Sequence, residues 1–176
     1  MKSKSQETNQ KRVFLKSYPK FKQVEDVLKT LQESKNSNLQ VSIIGKFDED
    51  SLDDPKKLFA LEEEMEIKCK ALFAHPIDFG ILSNPEIGTI FITGFLVSMF
   101  LQEIELKKIG AMLTGPYGIL RGLGIDQERS TFYLKALHLG NYLIILRGFE
   151  NELNQFQNNL KKMELERKTE RKPKSL

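Results

Sequence analysis

The sequence predicts a mixed α/β fold: a ferredoxin-like, four-stranded, mostly antiparallel sheet with helices on one or both faces, plus an apolar, glycine-containing helical insertion over residues 87–124. Three observations lead there. Residues 12–47 alternate between period-two and helical hydrophobic spacing, which gives strand, helix, strand. The unbroken apolar run Tyr142–Leu146 has no polar side to turn to water, so it belongs at the centre of a sheet. Residues 87–102 carry no charge, and Thr89–Thr93 among them are β-branched and aromatic. At 176 residues the chain fits one domain with a sizeable core, placed at 12–165 between a flexible basic leader (1–11) and a flexible basic tail (166–176).

Taken in order, Arg12–Tyr18 is β-prone and stops at Pro19. Phe21, Val24, Val27, Leu28 and Leu31 recur at helical spacing, and Asn36–Asn38 ends that helix with turn chemistry. Leu39–Phe47 is a second strand, with Leu39, Val41 and Ile43 on one face and Gln40 and Ser42 on the other. The acidic segment Asp48–Asp54 suits the positive end of a helix dipole, and Leu58, Leu61, Met65, Cys69 and Leu72 mark the helix it starts. His75–Gly88, broken by Pro76, Gly80, Pro85 and Gly88, reads as a loop with a short extended piece. Thr89–Thr93 is a strand, Gly94 permits a bend, and Phe95–Lys108 reads as helical. Asp126 caps a helix from Gln127 that Gly140 stops. A strand over Asn141–Gly148 and a helix carrying Leu153, Phe156, Leu160 and Met163 complete the domain, and charge beyond Glu164 predicts a frayed end.

The composition, 40% hydrophobic and 29% charged, is that of a globular rather than a disordered chain. Net charge is only +3, but both ends are basic and Asp48–Glu66 is acidic. Solvated termini are the expected role of the basic ends; attraction of nucleic acid or anionic lipid is the competing one. The single cysteine, Cys69, excludes an intrachain disulfide, and the N-terminus has no apolar signal stretch, so a cytoplasmic protein is expected. The uncharged run 87–102 is shorter than the roughly 20 residues that cross a bilayer.

Glycines crowd into Gly110–Asp126 (GAMLTGPYGILRGLGID). Gly110 and Gly115 have the gap of a phosphate loop, but Pro116 and Tyr117 occupy the places of its Lys and Ser/Thr. Gly122 and Gly124 begin a G-x-G, yet Gln127 stands where a dinucleotide fingerprint needs its third glycine. Gly118 and Gly122 do form G-x-x-x-G on a helix, a spacing that lets another backbone approach closely; Arg121 inside it argues against a membrane span. Close packing beside Phe95–Leu101, or across a homodimer, is therefore expected, with Phe95, Met99, Gly118 and Gly122 as the packing or oligomer-interface residues.

Residues that carry chemistry are sparse in pattern. His75 and His138 both sit at helix ends, and no C-x-x-C, H-x-x-x-H or H-x-x-E spacing exists, so neither a metal nor another cofactor is expected. Asp48–Asp54 lacks the glycine and terminal glutamate of an EF-hand loop. Ser42, Ser83, Ser98 and Ser130 have no G-x-S-x-G context, and no catalytic residue is assigned. Cys69 lies on an apolar stripe and reads as a buried small hydrophobe. Arg121, Arg129 and Arg147 are expected to pair with glutamates rather than hold an anion. Phe14, Tyr18 and Phe21 alternate with Lys16, Lys20 and Lys22, a weak nucleic-acid pattern whose aromatics also serve a core.

Ile87–Phe100 followed by Gly110–Gly148 resemble the bacterial general-stress (heat-induced stress, 17M-like) family of small proteins. Gly122–Ile125, Asp126, Glu128, Tyr133, Gly140 and Leu143–Leu146 stand at the matching places, and the likeness spans Leu39–Gly148. Glu86 and Phe95 depart from the family pattern, and the middle is poorer in Gly and Ala. The resemblance implies a fold made of packing motifs and no particular reaction. The functional expectation is a non-enzymatic, stress-related small protein acting by self-association, as a dimer, or by binding a protein partner. Two further readings stand beside it: a peripheral membrane protein anchored by Ile90–Leu101 and the basic ends, and a small-molecule-binding regulator or an enzyme without a recognisable motif.

Overall fold

The computed structural model describes residues 10–34, 38–48, 50, 53–85, 87–104, 107–110 and 115–171. Most of the leader, the turn at 36–37, parts of the acidic segment, Glu86, residues 111–114 within the glycine-rich segment and the last five residues of the expected tail, 172–176, lie outside them. In chain order the elements are β1 (Arg12–Tyr18), α1 (Phe21–Glu33), β2 (Gln40–Lys46), α2 (Pro55–Leu72), β3 (Phe79–Asn84), β4 (Gly88–Gly94), α3 (Phe95–Phe100), β5 (Leu101–Ile104), β6 (Lys107–Gly110), α4 (Pro116–Gly122), α5 (Gln127–His138), β7 (Tyr142–Gly148) and α6 (Glu150–Glu170).

Five strands form the body of the sheet in the order β1-β7-β2-β4-β3, each antiparallel to its neighbours. The hairpin β5–β6 continues the sheet beyond β3 through a parallel pairing of Ile81 with Ile109. The four-stranded ferredoxin-like sheet expected from sequence is therefore not what forms. One reason is residues 79–84, read above as part of a loop. They pair with β4 along their whole length, from Phe79 opposite Thr93 to Asn84 opposite Gly88, and Pro85 falls in the turn rather than in the ladder. The second reason is the stretch 95–108. Its helix ends at Phe100, and the chain then pairs as strands along the edge of β3, where ladder bonds outweigh a modest helix propensity. The segment 87–124 is also no helical insertion, since β4 lies between β2 and β3 inside the sheet.

The central place of β7 follows from its sequence. It sits between β1 and β2, and Leu143, Ile144, Ile145 and Leu146 are all fully buried. Strand alternation sorts the side chains onto two faces. Leu15, Ile44, Ile90, Ile92, Leu143 and Ile145 pack with Leu96, Val97, Ile119, Leu120 and Leu137, so α3, α4 and α5 cover one face. Ile43, Phe91, Ile144 and Leu146 pack with Val24, Val27, Leu28, Cys69, Leu153 and Phe156, so α1, α2 and α6 cover the other. The result is three layers. Ser42, on the first of these faces, is polar yet wholly buried; its hydroxyl accepts the Leu96 N–H at 2.9 Å and so caps the start of α3.

Local signals fix several ends. Asp54 accepts the Lys56 N–H at 3.0 Å and Asp126 the Arg129 N–H at 2.8 Å, which satisfies first-turn donors of α2 and α5. Gly140, at φ +91°, stops α5. At its other end the chain differs from expectation: α6 does not fray after Glu164 but continues to Glu170, and Arg167 donates to Asp26 of α1 at 2.6 Å.

Candidate functional site

Charged and aromatic side chains from β1, α1 and α6 meet on one face. Lys16 Nζ donates to both carboxylate oxygens of Glu164, at 2.6 and 2.8 Å, and the Tyr18 hydroxyl donates to the same carboxylate at 3.1 Å. Burial, and then the neighbouring Glu164 charge, push the Tyr18 hydroxyl pKa up. The Arg167 guanidinium holds the Asp26 carboxyl below the usual carboxylate range. Thr30 reaches the Met163 sulfur at 2.8 Å. Each of these bonds ties α6 to the sheet or to α1, so the cluster works as a clasp. The aromatics noted beside the basic residues are spent in the same packing: Phe14 meets Phe156 edge-on at 6.0 Å and Phe21 meets Tyr142 at 5.4 Å.

The nucleophile candidates are similarly committed. The Ser130 hydroxyl donates to the Ile125 carbonyl, Ser98 to Phe95, and Ser83 shares a hydrogen bond with Thr89. Burial pushes the Cys69 thiol up to about 12, with Glu66 adding to the effect. Cys69 and His138 belong to layers on opposite sides of the sheet, so they do not form a common ligand set. The arginines find partners other than glutamate: Arg121 donates to the Ile125 carbonyl at 3.0 Å, and Arg147 to the Gln40 side chain at 3.5 Å.

The residues expected to form a packing interface divide. Phe95 is half-buried against the cluster that holds Ile119 and Leu120, the neighbours of the half-buried Gly118. Met99 and Gly122 are exposed, so they do not pack closely within the chain. The apolar stretch proposed as a membrane anchor faces inward, with Ile90, Phe91, Ile92, Leu96 and Val97 all fully buried.

Large apolar side chains are exposed singly on α3 (Met99), α4 (Tyr117) and α6 (Leu165), and in pairs on α2 and α5. On α2 these are Phe59 and Ile67, which are eight residues apart and so about 80° apart around the helix. On α5 they are Phe132, 62% exposed, and Leu139 just past its end, 80% exposed. A seven-residue spacing brings these two within about 20° of one line. Leu139 also borders an apolar hollow of about 390 Å³ lined by Ile87, Leu134, Lys135 and His138. A larger hollow of about 560 Å³ beside α2 joins Phe59 and Phe79 to Glu62, Glu63 and Glu66; burial raises the Glu62 carboxyl pKa. The sequence reading missed the α5 surface because Phe132 and Leu139 lie off that helix's buried side, marked by Ser130, Ala136 and Leu137.

No protein-family model, curated protein or solved structure matches this chain.

Proposed function

We propose that this chain is a non-enzymatic, stress-related binding protein that works by self-association, with the α5 surface as its contact. The observation that carries the reading is the aligned, exposed pair Phe132 and Leu139 beside an apolar hollow. Scattered apolar residues need no explanation on a surface, but an aligned pair of which one member, Leu139, borders an apolar concavity has the features of a contact site. The resemblance of Gly110–Gly148 to the general-stress family supports the stress-related part, and the commitment of Tyr18, Ser130 and Cys69 to internal contacts supports a role in binding. Met99 and Gly122 are exposed and so are open to the homodimer contact expected of Phe95, Met99, Gly118 and Gly122.

Sedimentation velocity over a wide concentration range tests the reading. The parent chain is expected to sediment faster as concentration rises, and a Phe132→Glu, Leu139→Glu double variant to lose that dependence. A parent that stays monomeric throughout refutes self-association. Co-sedimentation of the parent with anionic vesicles would favour the peripheral membrane reading instead.

A further inference from the structure

The sheet has an open edge at β1. Among the described residues β1 pairs only with β7, and all seven of its residues, Arg12–Tyr18, take part in that ladder. An edge strand of this length presents a row of free backbone groups to any second strand. Natural edges are commonly guarded by charge, above all lysine. Here that guard is weakened at the middle of the strand: Lys16 is bound to Glu164 at 2.6 Å, while Arg12 at its start makes an exposed pair with Glu150 at 3.3 Å.

We propose that β1 pairs antiparallel with β1 of a second copy, centred on Leu15, so that two sheets join across a two-fold axis. This rests on the self-association reading and adds a β1 contact to the α5 surface proposed above. A two-fold normal to the sheet keeps each face continuous, so opposite residues must share a face and the centre must fall on a residue. Centring on Phe14 sets Arg12 against Lys16 of the other copy, and centring on Lys16 sets that lysine against itself; like charges directly opposite destabilise a pair. Centring on Leu15 pairs all seven residues. It opposes Arg12 to Tyr18, Val13 to Ser17 and Phe14 to Lys16, so no two like charges face each other. Tyr133 of α5 donates to the Leu15 carbonyl at 2.9 Å, and the exposed Phe132 ring lies 5.2 Å from the Tyr133 ring, which sets an uncovered aromatic close to the strand.

Two full-length single variants, Val13→Cys and Ser17→Cys, test the register. The native thiol, Cys69, is buried and silent as background. In the proposed dimer Val13 lies directly opposite Ser17, about 5 Å away, whereas like positions are four residues out of step, about 13 Å apart. A short bismaleimide is therefore expected to give a doubled mass when the two variants are mixed and none with either alone. Sedimentation of the unmodified chain runs beside it. A dimer without cross-linking in the mixture overturns the β1 interface and leaves self-association standing. Cross-linking by one variant alone overturns the register, and a monomeric parent overturns both claims.

Discussion

Gly94 and Gly140 offer a controlled comparison of backbone strain with crowding. Both hold left-handed backbone, at φ +88° and +91°. They differ in what a methyl group would meet. At Gly140 an added Cβ faces open space, whereas at Gly94 it runs into the Val41 carbonyl of β2, with the carbonyl carbon at 2.9 Å and Ser42 Cα at 3.0 Å. Left-handed backbone costs a non-glycine residue about 1–2 kcal/mol, and this applies to both sites. The clash at Gly94 is with backbone inside a sheet, which yields less readily than a side chain, so an overpacking cost of about 1–3 kcal/mol adds to it. Gly140→Ala should therefore lose about 1–2 kcal/mol and Gly94→Ala about 2–5 kcal/mol. Any gain from stiffening the unfolded chain is common to both and cancels in the difference. Urea unfolding monitored by circular dichroism gives the two values, and a chain of this size should lose about 2–4 °C of Tm per kcal/mol. Equal losses would show that β4 does not turn away against the backbone of β2 and would refute the crowding argument.

Three other outcomes follow from single contacts. Asp26→Asn should destabilise the chain near neutral pH: because the folded-state pKa of Asp26 is lowered by Arg167, its contribution is complete above the unfolded carboxylate range and is lost as pH falls through the lowered value. Unfolding curves of parent and variant should thus converge in acid, and a gap that persists there contradicts the ion-pair account. Cys69 should resist a thiol reagent at about pH 8 in the native chain and react fully in urea, because burial keeps the thiol protonated; rapid native labelling would contradict its placement. Ser42→Ala strands the buried Leu96 N–H and should cost about 1–3 kcal/mol by chemical denaturation, with no loss expected if that amide has another partner.

Much of the fold was legible because the deciding signals are local. Asp54, Asp126 and Gly140 set helix ends by their own chemistry, and the apolar run Tyr142–Leu146 required a strand covered on both faces. The failures fell where a partner decides. Residues 79–84 carry Gly80 between two prolines, and only the neighbouring β4 makes them a strand. Residues 101–104 and 107–110 become paired strands beyond the edge of β3. The end of α6 was misplaced for the same reason: Arg167 looks like tail charge until Asp26, more than a hundred residues earlier, stands beside it.

The candidate surface was less legible than the fold because an exposed apolar residue leaves no periodic mark. Phe132 and Leu139 are two turns apart on a helix whose other side is already committed to the core, so in the sequence they read as incidental. Only the three-layer arrangement gives them meaning. It places α5 and α6 on opposite faces of β1, binds the edge cation Lys16 to Glu164 of α6, and ties the Tyr133 hydroxyl to the Leu15 carbonyl. The contacts that hold α5 and α6 to β1 thereby remove the charge that would otherwise keep a second strand away. Stability of the monomer and competence to pair then have a common cause, and loosening α6 by Glu164→Gln should free Lys16 and weaken self-association along with the fold.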